Sequence, residues 1–326
     1  MKQLRVGLLL LGALVLGLLI AHNEPAEIFG AIRGLSWRLA VVITFPFVLV
    51  AALDTLGWRY AFRRDRVGVA TLLWVRLAGE AVNMATPTAA LGGEVVKAWL
   101  LRHRLPLDEA VSSVIVAKTT ITIAQGMFLL LGIVLAWLTV LPDALVQGMV
   151  WLLGIEVVAL AGFVLAQTRG MSASILSLLE RLRVPARRFG TSLTRVDEGL
   201  ALFYARQPRR LVLSITFHFV AWVLGILEAY LMLRFLGIEV SLTTAGVIEA
   251  LGTAVRFATF LIPASLGVLE GGYVATFRAL GLGASAGVAF ALTRRARELT
   301  WILVGLVVLA VARSTVAVEK DAAPTG

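Results

Sequence analysis

Six apolar runs in this sequence are long enough to cross a lipid bilayer, and they constrain the fold more than any other feature. A transmembrane helix needs about 20 predominantly apolar residues. Only 15% of the residues are charged, against roughly 25% in soluble domains, so a water-soluble core cannot hide this much apolar surface. The sequence therefore predicts an all-α polytopic membrane protein with about six full spans. The runs lie at 4–21, 38–59, 109–139, 145–167, 210–236 and 284–312.

Two further apolar regions, 67–103 and 242–280, are each interrupted near the middle by a proline. Pro87 and Pro263 are the predicted structural breaks, because proline removes a backbone donor and disfavours helix in the residue before it. Each arm is then too short to cross the membrane comfortably. We therefore predict two re-entrant helical hairpins. Two kinked full spans in each region remain the alternative.

The basic residues between the runs predict the orientation of the chain. If both interrupted regions are re-entrant, the basic residues before the first run, the cluster at 59–66 and the connection at 168–209 share one side. The positive-inside rule makes that side cytoplasmic, with Arg33 and Arg278 as exceptions. The first run lacks a small-residue cleavage site and is interpreted as an uncleaved span. The expected location is the cell membrane, with both termini cytoplasmic.

Composition excludes several kinds of site. The net charge of +10 does not indicate a nucleic-acid partner, because the basic residues cluster between apolar runs. The chain has no cysteine, and its three histidines lie far apart, so we expect no metal site and no cofactor.

The central connection at 168–209 contains two amphipathic stretches. The second repeats apolar residues at helical spacing. It is predicted to be a helix lying in the inner-leaflet interface, and a solvated hairpin packed on the cytoplasmic helix ends is the alternative. The apolar residues are Phe189, Leu193, Val196, Leu200 and Phe203.

An internal repeat relates the two interrupted regions. Pro263 follows Pro87 by 176 residues, and the same offset places Glu94 on Glu270. It also places the cation at 118 on the cation at 294. We predict a single membrane domain over 1–326 with one repeat at 67–139 and another at 242–312. Three spans separate the hairpins, so the repeats are expected to be inverted, as in many transporters.

The charged residues of the repeat are predicted to lie deep in the bilayer. Glu94 and Lys118 are each nine residues from a predicted membrane surface, about 14 Å at 1.5 Å per residue. A charge there costs about 2.5–3.5 kcal/mol, so each needs a partner. We predict that Glu94 pairs with Lys118 and Glu270 with Arg294. Either pair is a structural salt bridge or a set of headgroup ligands.

Other polar residues in the apolar regions have two possible roles. Glu80 forms a helix pair with Arg76, or binds a headgroup together with Asn83. Arg256 occupies the position equivalent to Glu80 and is expected to pair with it across the repeat axis. The glycines at 92, 93 and 267 allow either an anion or a neighbouring helix to approach the backbone.

Four more polar side chains are predicted to have structural roles. Glu156, His218 and Glu228 stand alone in full spans, and we expect each to bond a neighbouring helix rather than a substrate. Asp54 lies near the inner end of its span and is expected to reach the interface.

Short motifs flank both breaks. In the first half they are Gly79-Glu80-Ala81-Val82-Asn83, Gly92-Gly93-Glu94-Val95-Val96 and Gln125-Gly126. In the second half they are Ser265-Leu266-Gly267-Val268-Leu269-Glu270-Gly271-Gly272-Tyr273 and Arg294-Arg295-Ala296-Arg297-Glu298-Leu299. At these residues the chain resembles the lysylphosphatidylglycerol synthase transmembrane-region family, also called flippase-like membrane proteins, and is most similar to its hopanoid-associated branch. Many members carry an arginine motif where this chain has Lys118, so the bidentate fork is lost there.

The resemblance implies lipid flipping or lipid-linked export. The leading hypothesis is a translocator that moves a phospholipid, a hopanoid or an isoprenoid-linked lipid between leaflets through a groove between the hairpins. The catalytic domain of some relatives would follow the last span, and only a short tail follows Arg313, so we expect no enzyme activity. The candidate substrate-binding residues are Glu80, Asn83, Gly92, Gly93, Glu94, Lys118, Gln125, Arg256, Gly267, Glu270, Arg294, Arg295 and Arg297.

Two other functions remain open at this point. The chain could be a non-transporting membrane partner of a lipid-biosynthesis enzyme, or an intramembrane enzyme acting on a lipid headgroup. An enzyme would need a nucleophile, a base and charge-stabilising groups converging on one site. The expected partners are therefore membrane lipids, with lipid-biosynthesis enzymes as a second possibility.

Overall fold

The computed structural model describes residues 14–86, 91–139, 141–172, 190–260 and 262–321. These residues form helices and turns without a strand, which confirms the predicted all-α class. The helices are α1 (14–22), α2 (Pro25–Gly34), α3 (Arg38–Tyr60), α4 (Val69–Ala85), α5 (Gly92–Leu101), α6 (Leu107–Trp137), α7 (Asp143–Arg169), α8 (Gly190–Arg206), α9 (Pro208–Phe235), α10 (Leu242–Ala258), α11 (Val268–Ala279) and α12 (Ala284–Asp321).

Four helices in the described ranges are long and apolar enough to cross a membrane, namely α3, α6, α7 and α9. They correspond to four of the six predicted runs. Much of the first run, at 4–13, lies outside the described residues, and α12 covers the sixth run. Most side chains of α7 are exposed, as expected for a helix that faces lipid.

Both interrupted regions contain a break between two helices that pack on each other. α4 ends before Thr86, whose backbone is extended, and α5 begins at Gly92. Pro87, the predicted break, lies outside the described residues. In the second region a 3-10 turn at Pro263–Ser265 is followed by Gly267, whose φ of 80° suits glycine, and α11 begins at the next residue.

The shorter arm of each hairpin cannot span a bilayer. α5 has 10 residues and α11 has 12. At 1.5 Å per residue they are about 15 and 18 Å long, against a hydrocarbon core of about 30 Å. Contacts between the arms, such as Lys97 with Glu80 and Tyr273 with Gly252, show that the arms of each hairpin run antiparallel.

The helices α3 and α9 form the most extensive contact in the described structure, and they run in opposite directions. At one end the Arg38 guanidinium lies 5.7 Å from the centre of the Phe235 ring. At the other end Tyr60 stacks on Phe217 with ring centres 5.4 Å apart. The offset of 176 residues that relates the hairpins also brings α3 onto α9.

Packing between the halves is reciprocal. α4 packs on α12, and α10 packs on α6, although the offset makes α4 equivalent to α10 and α6 equivalent to α12. Such a contact pattern is expected of two copies related by a twofold axis. The antiparallel α3 and α9 are what an inverted repeat requires. The repeat boundaries at 67–139 and 242–312 and the orientation in the membrane remain predictions.

The apolar face of α8 packs on the protein. Val196, Leu200 and Phe203 are buried in one cluster with Trp58 and Phe62 at the end of α3. This packing favours the alternative interpretation of the central connection, in which it covers helix ends, over a helix lying in the lipid interface. The first amphipathic stretch and Phe189 lie outside the described residues.

Candidate functional site

Fifteen acidic and basic side chains, counting one histidine, meet between the two hairpins. We group them by the hairpin that they contact. The first-hairpin cluster consists of Asp54, Arg76, Glu80, Glu94, Lys97 and Lys118, together with His218. The second-hairpin cluster consists of Glu228, Glu249, Arg256, Glu270, Arg294, Arg295, Arg297 and Glu298.

Lys97 is the centre of the first-hairpin cluster. Its ammonium group donates to Glu80 at 2.7 Å and to Glu94 at 3.1 Å, and its side chain is almost fully buried. The prediction that Glu94 pairs with Lys118 is therefore wrong. The helix α5 extends to Leu101 and brings Lys97 one turn from Glu94.

Asn83 joins the two arms of the first hairpin. Its side-chain oxygen accepts a hydrogen bond from the backbone N–H of Gly93 at 2.7 Å, and its amide donates to Glu94 at 3.3 Å. Gly93 is required here, because a Cβ on it would lie 2.6 Å from that oxygen. The first N–H groups of a helix have no partner within the helix. The hydrogen bond from Gly93 to Asn83 satisfies one of these groups at the start of α5.

Asp54 does not reach the interface, contrary to prediction. It is buried between α4 and α9, accepting from Arg76 at 2.6 Å and contacting Nδ1 of His218 at 2.8 Å. Of the two alternatives for Glu80, the helix pair with Arg76 does not form a hydrogen bond, because Arg76 donates to Asp54 on α3. His218 bonds a neighbouring helix, as predicted.

Arg294 is a buried arginine of the second-hairpin cluster. Its guanidinium donates two hydrogen bonds to Glu249, at 2.6 and 3.0 Å, and a third to the Tyr273 hydroxyl at 2.7 Å. The predicted pair of Glu270 with Arg294 is therefore wrong. Glu270 instead accepts from Arg295 at 2.5 Å, because successive residues of α12 point about 100° apart around the helix axis.

Glu298 connects Arg295 to the second hairpin. It accepts from Arg256 at 2.9 Å and from Arg295 at 2.7 Å. The predicted pairing of Arg256 with Glu80 is wrong, although both side chains line the same cavity. Arg297 pairs with Glu228 on α9, so Glu228 also bonds a neighbouring helix as predicted.

Glu270 also closes the start of α11. Its second oxygen accepts from the backbone N–H of Gly267 at 2.7 Å. Gly267 thus contributes to the hairpin tip as a backbone donor within the protein. The sequence placed Gly92 at the corresponding tip of the first hairpin, and there it begins α5.

A cavity of about 300 Å³, here called the central cavity, lies between the two halves. Its wall includes side chains from α3, α4, α5, α6, α9 and α10, namely Asp54, Trp58, Arg76, Glu80, Glu94, Lys97, Val114, Ala117, Lys118, Ile121, Thr122, Gln125, His218, Trp222 and Arg256. A second cavity of about 200 Å³ shares Asp54, Trp222 and Arg256 with it and extends to the second-hairpin cluster. The two clusters therefore border one connected polar region.

Three nitrogen donors on the central cavity lack a full set of acceptors among the described residues. Lys118 is partly buried and has no ion-pair partner there. Arg256 pairs with Glu298 through one nitrogen only, and 37% of its side chain is exposed. The indole N–H of Trp222 is buried without an acceptor. Cations and N–H donors that converge in this way suit an oxyanion such as a phosphate.

Several of the predicted binding residues lie together around the central cavity, but not all of them do. The central cavity is lined by Glu80, Glu94, Lys118, Gln125 and Arg256, whereas Glu270 and Arg295 are bound to each other and line neither cavity. Within the described ranges no three acidic or histidine side chains are placed to hold a metal ion. Sequence analysis missed Lys97, Glu249 and Tyr273 as members of the site.

Comparisons with known proteins agree with the architecture. A family model described as the lysylphosphatidylglycerol synthase TM region matches residues 5–307. A protein named UPF0104 membrane protein, from Methanothermobacter thermautotrophicus, is 25% identical over 319 residues, which is 90% of this chain and 91% of that protein. No solved structure matches. The family resemblance is therefore confirmed and the chain is a multi-pass membrane protein, while its place in the hopanoid-associated branch stays a prediction.

Proposed function

Because the chain belongs to the lysylphosphatidylglycerol synthase TM region family, we propose that it translocates a lipid with a phosphate-bearing headgroup between the leaflets of the membrane. The headgroup binds in the central cavity, and the apolar tails remain in the surrounding lipid. Phospholipids and isoprenoid-linked lipids both carry such a group. The site is proposed to bind and move the lipid without changing its covalent structure.

The observation that carries this proposal is that Lys118, which forms no close ion pair among the described residues, lines the same cavity as Arg256. These cations come from different halves of the repeat and line one cavity. A cation without a partner inside a membrane protein is costly, by about 2.5–3.5 kcal/mol near the bilayer centre. An anionic headgroup between Lys118 and Arg256 would remove that cost. The neighbouring carboxylates Glu80 and Glu94 are already bound to Lys97.

Movement across the membrane is proposed to use the two hairpins. In transporters built from inverted repeats, a site at the repeat interface is exposed alternately to the two sides. The reciprocal packing of α4 on α12 and of α10 on α6 supports this mechanism, because equivalent contacts can exchange between two equivalent states. We also propose that the protein lies in the cell membrane with both termini in the cytoplasm.

The proposal is tested by lipid exchange in liposomes that contain the purified protein. Phosphatidylglycerol, phosphatidylcholine and a polyprenyl phosphate, each labelled on a tail, are followed by quenching from the outside. We expect the protein to accelerate exchange of at least one of these lipids. Lys118→Gln and Arg256→Gln should each slow it about tenfold or more, since losing one ionic contact of about 1.4 kcal/mol has that effect.

The matched control is Arg209→Gln, which removes an exposed arginine at the start of α9 and should leave the rate unchanged. Equal exchange with and without the native protein, across all three lipids, would overturn the proposal and favour a non-transporting partner of a lipid-biosynthesis enzyme. Chemical change of a headgroup, detected by mass spectrometry, would instead indicate an enzyme.

A further inference from the structure

Glu156 is a buried carboxyl group in the middle of the lipid-facing helix α7. Only 1% of the residue is exposed, although most neighbouring side chains of α7 are open to the surroundings. Buried residues recur on one face of α7 at Met149, Glu156 and Gln167. This face packs against α6, so Glu156 points away from lipid and into the protein.

The carboxyl group of Glu156 has no hydrogen-bond partner in the described structure. Both of its oxygens are shielded from solvent, and neither accepts a hydrogen bond. Gln167 on the same face is different, because it donates to Thr119 at 3.0 Å and accepts from Tyr204 at 2.6 Å. The sequence prediction that Glu156 bonds a neighbouring helix is therefore wrong, while it is right for His218 and Glu228.

The space for this carboxyl comes from Gly126 on α6. A Cβ added at Gly126 would lie 3.8 Å from the carboxyl carbon of Glu156 and 4.0 Å from one of its oxygens. Leu153 contributes the other nearby side chain. The carboxyl group of Glu156 therefore packs against the backbone of α6 at Gly126 and beside the apolar Leu153. Neither residue offers a polar side chain that could stabilise a charge.

The titratable groups considered on the helices near α7 either lie away from Glu156 or bind other partners. On α6, Lys118 is eight residues from Gly126, about 12 Å along the axis, and it lines the central cavity. On α10, Glu249 is bound to Arg294. The groups of α8 and α9 that bond other partners are Tyr204, Asp197, His218 and Glu228.

We infer that Glu156 is a proton-binding site, and that its side chain carries a proton in the conformation described here. An ionised carboxylate without a partner costs several kcal/mol in an apolar interior, whereas the neutral acid avoids most of that cost. Ionisation requires water or a cation to reach the group. A movement that separates α7 from α6 at Gly126 and admits water therefore allows the proton to leave. The inference goes beyond lipid translocation and does not depend on it.

Infrared difference spectroscopy of the protein in lipid tests the inference directly. The native protein at neutral pH should show the carbonyl stretch of a protonated carboxylic acid, and Glu156→Gln should lose that band. Glu198→Gln, which changes an exposed carboxylate on α8, is the matched control and should keep it. Glu156→Met gives a second variant without any polar group to satisfy. An unchanged band in both variants at position 156 would overturn the inference.

Thermal unfolding over a range of pH gives an independent measurement. An acid that keeps its proton on folding makes the native state bind one proton more than the unfolded state, so native stability falls as pH rises. The native protein should therefore lose stability with rising pH relative to Glu156→Gln. A difference between the two proteins that does not change with pH would contradict the inference, whatever the result of the lipid-exchange assay.

Discussion

The two charged clusters use different cations, and their glutamates differ in exposure. Beside the second hairpin all four cations are arginines, and Glu249, Glu270 and Glu298 have side chains that are at most 7% exposed. Beside the first hairpin the cations include two lysines, and the Glu80 side chain is 34% exposed. One of these lysines, Lys118, has no ion-pair partner in the described structure.

This difference follows from the chemistry of the two side chains. The guanidinium of arginine is a rigid fork that binds a carboxylate through two parallel hydrogen bonds, as Arg294 binds Glu249. The ammonium of lysine is a point charge on a flexible stem, so it can exchange one acceptor for another at low cost. We interpret the arginine-rich cluster apart from Arg256 as a fixed frame. The contacts of Lys118 and Arg256 are those proposed to change when a headgroup binds.

The largest expected effect is that of breaking the buried pair in the fixed frame. Arg294→Met leaves the Glu249 carboxylate without its partner and should destabilise the protein by about 3–5 kcal/mol. The measurement is the midpoint of thermal or denaturant unfolding in detergent. The double variant Arg294→Met with Glu249→Leu should recover much of the loss, because two apolar residues need no partner. If the single variant is as stable as the native protein, the cluster is not a frame.

The next largest effect concerns the hairpin tips. Gly93→Ala places a methyl group against Asn83, at 2.6 Å from its oxygen, and overpacking of this kind costs about 1–3 kcal/mol. The same methyl group would lie closer still to the backbone oxygen of Gly79, whereas in the second hairpin Gly271 has no neighbour within 4 Å of an added Cβ. Gly271→Ala should therefore leave stability unchanged or raise it by roughly 0.5–1 kcal/mol, as for glycine within a helix. If the two variants change stability equally, the close contact at Gly93 does not contribute to the free energy of unfolding.

Sequence reasoning found the correct elements and several correct site residues but the wrong partners. Apolar runs and prolines predict helices and breaks because both signals are local along the chain. Pairing depends on the rotation of each helix, and one residue turns a side chain by about 100°. Arg294 and Arg295 illustrate this, since they bind Glu249 and Glu270 respectively. A carboxylate within an apolar hairpin arm was the available signal for Glu249.

A smaller effect on stability is expected in the lysine-containing cluster. Lys118→Gln removes a cation without an ion-pair partner in the described residues and leaves no carboxylate unpaired, so it should not destabilise the protein. Lipid exchange and stabilisation by glycerol phosphate should both fall in the same variant. Lys118→Arg keeps the charge and should retain both. A large loss of stability in Lys118→Gln, comparable with that of Arg294→Met, would remove the distinction between the two clusters.

The smallest effect is expected outside the membrane-spanning helices, where Asp65 links the ends of α3 and α9. It accepts from Arg210 at 2.5 Å and from Arg59 at 3.0 Å. The hydrogen bond from Arg210, followed by that from Arg59, lowers the pKa of the Asp65 carboxyl below its usual value. Its side chain is 41% exposed, so the pair contributes no more than about 0–1 kcal/mol.

The sign of the pH dependence follows from that lowered pKa. Stabilisation by Asp65 is complete above the unfolded pKa of about 3.9 and disappears as pH falls through the lower folded value. Asp65→Asn should therefore be slightly less stable than the native protein at neutral pH and equally stable in strong acid, and thermal unfolding at the two pH values measures this. If Asp65→Asn instead destabilises the protein as much as Arg294→Met does, surface ion pairs rather than the buried frame hold α3 against α9.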